Sequence, residues 1–306
     1  MSVPSRLKRE SSLGEEVAQR PERSPSGAPS RPNRESSLGE EVAQRPERSP
    51  VSRPASAAEF HVVHDGKMTL LTLARPRQRN SLNATLVARL AEALAACAHD
   101  GTRLLVLQGT TEAFCSGFDL GDLATETDDT LLARFVRVEQ LLQQLATAPF
   151  ATVAYAEGPA IGAGADLFAA CDYRYATDNA RFAFPGAGFG LVLGSRRLAL
   201  RVGSDTAQRW IASGERLSVE DAASAGLITA RLAADTWADQ LACHQSQATR
   251  LDIATHTHIV RATRLGLGPA ALDGDLAALV ASAARPGLKA RIEAYTQASR
   301  RTPAAG

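Results

Sequence analysis

A chain of 306 residues, 44% of them hydrophobic, has material for a full core, and a net charge near +1 excludes the strongly basic surface that nucleic-acid binding uses. No stretch is long and apolar enough to span a membrane. The four cysteines, Cys97, Cys115, Cys171 and Cys243, are widely spaced and form no C-x-x-C pair, which fits free thiols in a reducing, cytoplasmic compartment rather than a disulfide framework.

Residues 1–58 are Ser, Pro, Arg and Glu with few large apolar side chains, a disorder composition. RESSLGEEVAQRPERSP at Arg9 to Pro25 recurs without change at Arg34 to Pro50. A perfect copy with no apolar face to stack reads as a duplication in a tail, not as a solenoid. The stretch has no apolar h-region of a secretory signal, and its glutamates argue against a transit peptide.

Globular patterning spans 59–306. Glu59–Val63 and Lys67–Ala74 flank Asp65-Gly66 as a hairpin, and Ala84 to His99 carries Leu86, Leu90, Leu94 and Cys97 at helical spacing. Arg103–Gln108 is an apolar strand, Phe114 to Leu120 a loop in which Asp119 is expected to cap the next helix, and Thr130 to Ala146 an amphipathic helix. Ala151 to Ala156 is a buried strand, with shorter ones at Tyr173–Ala176 and Arg181–Phe184 and a helix near Arg197–Val202. Ser218 to Asp221 is a capping box, and the chain is helical from about 230. Strand–strand–helix units thus recur at 59–99, 103–146 and 151–202.

Two segments can carry chemistry. Glu157 to Asp172, EGPAIGAGADLFAACD, turns at Gly158-Pro159 and enters a helix through small residues. A helix start presents unpaired N–H groups and partial positive charge, suited to a developing oxyanion, and Asp166 falls in its first turn, where it could act as a base. Tight packing, with Asp166 merely complementing the helix dipole, explains this stretch alone equally well. Phe114-Cys-Ser-Gly-Phe-Asp-Leu120 is a second strand-to-loop segment. Ser116 lacks the G-x-S-x-G setting of a nucleophile, Cys115 has no evident histidine partner, and the six histidines show no metal-ligand spacing. Phe118, Leu120, Phe135 and Leu142 suit either a pocket wall or ordinary core.

From about His61 to Ile228 the chain resembles the crotonase superfamily, the enoyl-CoA hydratase/isomerase family. The likeness lies in LARPRQRNSL from Leu73, AFCSGFDL, EGPAIGAGADLFAACD, FAFPGAGFG and SGERLSVEDAASAGLI from Ser213. It implies a single α/β domain: a crotonase-like spiral of repeated ββα units with C-terminal helices, preceded here by the tail. It also implies an acyl-CoA substrate with no cofactor beyond its coenzyme A, and trimers or paired trimers; the lack of a metal-ligand pattern in the residues argues separately against a metal. By position, the resemblance makes the N–H groups of Ser116 and Ala163 the oxyanion hole and Asp166 the first catalytic carboxylate. Gly186 stands where hydratases keep a second glutamate. One carboxylate suffices to move a proton from C2 to C4, so enoyl-CoA isomerisation is favoured over ordinary hydration. A decarboxylase and a non-catalytic CoA-binding scaffold are the alternatives, as is hydration using Glu139 or Asp128. Arg77 and Arg79, with Lys289 and Arg291 from a late helix, are the expected phosphate contacts.

Overall fold

A computed structural model describes residues 59–301 other than 265. The duplicated, disorder-type tail at 1–58 lies outside the described residues. Strands β1 (Phe60–Asp65) and β2 (Met68–Leu73) form the expected hairpin, with Asp65 opposite Met68 and Gly66, at φ +59°, in the two-residue turn. Helix α1 (Ala84–Cys97) is capped by the Asn83 side chain on the Leu86 amide. It is followed by β3 (Leu104–Gln108), α2 (Asp128–Ala146), β4 (Ala151–Ala156), β5 (Ala160–Ile161), α3 (Ala163–Ala170), β6 (Tyr173–Ala176) and β7 (Phe182–Ala183). Then come α4 (Ser195–Val202), α5 (Ser204–Ser213), α6 (Val219–Ser224), β8 (Ala230–Arg231), α7 (Trp237–Thr249), α8 (Ile253–Thr263), α9 (Pro269–Ala283) and α10 (Leu288–Arg301).

The main sheet runs β1-β2-β3-β4-β6-β8, parallel from β2 onward. Its central strands are buried on both faces, which is why they read as unbroken apolar runs. Alternate residues still separate. Leu105, Leu107, Ala154 and Ala156 face α1, α2 and α3, whereas Leu104, Val106, Val153 and Tyr155 face α7, where the Tyr155 ring stacks on Trp237 at 4.1 Å.

The second strands of the repeated units form a separate, much reduced layer. β5 pairs with β7, and single bridges join Leu82 to Phe118, Cys115 to Ala160 and Phe182 to Leu217. Each contact is too short to show as a strand pattern in the sequence, yet together they clamp the Cys115–Phe118 loop against the entry to α3.

Asp119 does not cap α2; Thr127 does, with its hydroxyl on the Thr130 amide. Asp119 accepts from the Gly121 amide and pairs with Arg75 at 2.8 Å. Asp128 holds the start of α10, accepting from the amides of Gly287, Leu288 and Lys289 at 2.8, 3.1 and 2.8 Å.

Candidate active site

The reduced strand layer fixes the site. The Ile161 amide donates to the Cys115 carbonyl at 2.9 Å, so the two loops lie edge to edge. Gly164 has no room for a side chain, since a Cβ there would fall 2.2 Å from the Cys115 oxygen. A Cβ at Gly117, whose φ is +92°, would fall 2.6 Å from the Ile161 oxygen and 3.4 Å from the Ala163 nitrogen. Small residues at these positions let two backbones meet.

Ser116, Ala163 and Asp166 line one cavity of about 280 Å³, closed mainly by apolar side chains: Phe118, Leu120 and Phe135, then Phe184, Leu191 and Ile211. Leu142 is fully buried in the core beneath. Gly186 is on the wall with no side chain to offer. Tyr295 and Ser299 of α10 also reach this cavity, and no motif announced them, because α10 joins the site only through tertiary packing.

The two proposed donors differ. Gly162 adopts φ 55° and passes its own amide to the Ala183 carbonyl, leaving Ala163 as the first residue of α3. The Ser116 amide donates to the Arg79 carbonyl at 2.9 Å. Arg79 and Asn80 both lie in the left-handed region, at φ 50° and 57°, which turns that carbonyl toward Ser116. The buried Asn80 side chain holds the turn, accepting from the Arg75 amide at 2.9 Å and donating to the Ala113 carbonyl at 2.8 Å.

Asp166 is 5% exposed, and its Oδ1 is buried without a hydrogen-bond partner. Burial pushes its carboxyl up to about 8; Arg197 pulls the other way and Glu139 adds to the rise. Arg197 and Glu139 are themselves buried and joined by a forked ion pair, one arm at 3.0 Å, with Gln143 donating to Glu139 at 2.9 Å. Glu139 therefore neutralises Arg197 behind the site, and neither it nor Asp128 is among the cavity-lining residues. Burial also raises the Cys115 thiol to about 12, which removes it as a nucleophile.

Gly194, at φ +68°, is what admits Asp166: a Cβ there would fall 2.0 Å from Oδ1. Gly194→Ala should displace the carboxylate and strain the backbone. The expected result is a kcat lower by roughly tenfold or more and a stability loss of about 1–3 kcal/mol. Steady-state kinetics and thermal unfolding read both; a variant with wild-type kcat would show that the position of Oδ1 is immaterial.

The expected phosphate contacts fare unevenly. The Lys289 ammonium donates to the carbonyls of Ala124 and Glu126, and Arg291 donates to those of Phe189, Gly190, Ser282 and Arg285. Both tie α10 to neighbouring loops. Arg77 is exposed on the Pro76–Gln78 turn, and Arg79 lines a second cavity that shares Ser116 and Ile161 with the first.

Comparison with known proteins decides the relationship. The sequence profile described as enoyl-CoA hydratase/isomerase matches residues 64–280. The chain belongs to the enoyl-CoA hydratase/isomerase family. Like other members, it is an acyl-CoA-processing enzyme. Within the family it is 36% identical over 180 residues to a Mycobacterium bovis protein named as a probable enoyl-CoA hydratase, EchA6; the match covers 56% of this chain and 71% of that one. It is 33% identical over 181 residues to the 2,3-dehydroadipyl-CoA hydratase of Escherichia coli, covering 56% and 68%. A crystal structure from Bordetella parapertussis, described as an enoyl-CoA hydratase/isomerase, superposes with a TM-score of 0.76 at 38% identity, covering 81% of this chain and 100% of that one.

Proposed function

We propose that this family member isomerises an enoyl-CoA, using Asp166 as its one proton-transfer group. The supporting observation is the cavity itself, which pairs a buried, partnerless carboxyl with a bare glycine at position 186. In the ionised state Asp166 takes a proton from C2 of a 3-enoyl thioester. The electron pair moves into a dienolate whose negative charge rests on the thioester oxygen. Asp166 then returns the proton at C4, leaving the double bond between C2 and C3. Acid and base are the same group at successive moments, so no second side chain is required.

The oxyanion is held by the Ala163 amide at the start of α3, reinforced by the helix dipole, and by the Ser116 amide once the substrate oxygen displaces or shares the Arg79 carbonyl. That exchange makes the second donor substrate-dependent. Coenzyme A enters as part of the substrate, and the reading asks for no further cofactor or metal. The family's trimeric assembly and a cytoplasmic location belong to the same proposal; exposed Leu200, Ile253, Ile259 and Val280 supply apolar surface for subunit contacts.

A panel of three thioesters tests the reading. A 3-enoyl-CoA is expected to gain the absorbance of a conjugated enoyl thioester, crotonyl-CoA to lose it at least tenfold more slowly, and a malonyl-type CoA to release no carbon dioxide. Fast hydration of crotonyl-CoA, or decarboxylation, would displace isomerisation as the activity.

A further inference from the structure

Where the C-terminal end of α3 meets α2, α4 and α8 lies a third cavity, of about 280 Å³, with Arg197, Arg201, Arg264, Asp172 and Thr263 on its wall. Asp172 is the one carboxylate among them, and it is already engaged. Arg264 donates to its two oxygens at 3.0 and 2.8 Å, and the amide and hydroxyl of Thr152 donate to it at 3.0 and 2.9 Å. Arg201 enters no ion pair among the described residues, nor does the buried Arg174 beside it. Arg201 caps α3, donating from Nε and Nη2 to the carbonyls of Ala169 and Cys171 at 3.1 and 2.9 Å, which leaves Nη1 without a partner among the described residues. Arg197 is held at its far end by Glu139, yet its buried Nε also has no partner. Burial pulls the Arg174 guanidinium down to about 10, with Arg201 adding to the fall, and it lowers Arg201 too, with Arg264 contributing. Positive charge is thus buried here in excess of the carboxylates that could neutralise it.

We infer that this cavity binds a small organic carboxylate between Arg201 and Arg197, and that the bound anion is an inhibitory effector of Asp166. The size, just under the ~300 Å³ at which sites for drug-sized ligands begin, calls for a small occupant. Guanidinium forks suit a carboxylate, and Ala146, Ala169, Ala170 and Leu267 offer apolar wall to a short hydrocarbon body, which inorganic phosphate lacks. The link to Asp166 runs through Arg197, which faces Glu139 on α2, Asp275 on α9 and Asp166 on α3. Arg197 favours the ionised form of Asp166, and an anion beside Arg197 opposes that pull. The effector role rests on Asp166 being the base, as proposed above; the binding does not.

Calorimetry on the full-length protein tests the site, with butyrate, butyramide and inorganic phosphate as probes. Butyrate should bind at least tenfold more tightly than butyramide, and more tightly than phosphate; the reverse order in either comparison overturns the assignment. Affinity should stay within a few-fold when a butyl-CoA thioether fills the catalytic cavity. Abolition by the thioether would place butyrate in that cavity instead. Arg201→Gln should weaken butyrate roughly tenfold or more, with Arg201→Lys between it and wild type. Should loss of the α3 cap unfold the glutamine variant, a crystal structure of the wild-type protein with butyrate still decides, since the carboxylate must lie against Arg201. Saturating butyrate should lower kcat for a 3-enoyl-CoA by roughly fivefold or more, with KM changed less than twofold. Undiminished turnover with butyrate bound overturns the effector role. Because binding is read without turnover, a protein that holds butyrate here yet isomerises nothing would sink the proposed reaction and leave the site standing.

Discussion

Asp166→Asn should lower turnover by about 10²–10⁴-fold while leaving CoA affinity within a few-fold of wild type. The amide is nearly isosteric, so the cavity and its apolar walls persist, and what disappears is the ability to take and return a proton. Turnover that survives in this variant would dismiss Asp166 as the base. The pH profile supplies an independent reading. With its carboxyl raised to about 8 by burial, wild-type activity limited by the ionised form should climb as pH rises through that value and then level off.

Stability should move the opposite way. A carboxyl whose folded-state value lies far above its ordinary 3.8 stays protonated in the folded chain at pH where the unfolded chain has already released its proton. The stability from this group is therefore fully present below about pH 4 and lost as pH rises toward 8. Asp166→Asn removes that dependence, so its thermal midpoint should exceed the wild-type value by several degrees at pH 8 and by little at pH 5. A midpoint difference that is the same at both pH values would mean that Asp166 is ionised in the resting enzyme. The partnerless Oδ1 is thus a cost to folding kept at the point where chemistry needs an uncommitted carboxylate.

The parts of this site written in contiguous residues were readable without coordinates. The stretch from Ala151 to Asp172 shows its strand, turn and helix because each is specified locally: β-branched and small apolar residues, then Gly158-Pro159, then a glycine-rich helix start. The capping box at Ser218 was likewise legible, and its hydroxyl does accept from the Asp221 amide. What escaped is long-range. Asp119 looks like a cap, but Arg75 claims it from 44 positions away in sequence, an ion pair no local pattern encodes. Lys289 and Arg291 look like free cations until α10 folds back and carbonyls occupy them. The Ser116 amide looks free until a left-handed turn at Arg79 aims a carbonyl at it. Local chemistry was visible; the pairing of distant charges was not.

Gly186→Glu should convert part of the activity to hydration. The position lies in the short turn Pro185–Phe189, outside the left-handed region, so a side chain meets no backbone objection. There is also room, since a Cβ there would find only the Leu191 oxygen at 3.7 Å and the Leu191 Cβ at 3.9 Å, ordinary van der Waals contacts. The glycine is therefore not demanded by the fold, in contrast to Gly164 and Gly194, where added atoms would fall 2.2 and 2.0 Å from their neighbours. A glutamate at 186 would enter the same apolar cavity as Asp166, and two carboxyls sharing it cannot both ionise readily. One would hold its proton while the other is charged, the division of labour that adding water across a double bond requires: one group activates the water and its partner serves the α-carbon. Crotonyl-CoA hydration should rise at least tenfold over wild type, and by about 10²-fold if the two groups align. The new charge should also carry the isomerase pH profile to higher pH, because repulsion further disfavours ionised Asp166. If the variant folds and binds CoA, yet hydration stays at the wild-type level and the profile does not move, position 186 does not face Asp166 across the thioester. The bare glycine would then have no part in choosing the reaction.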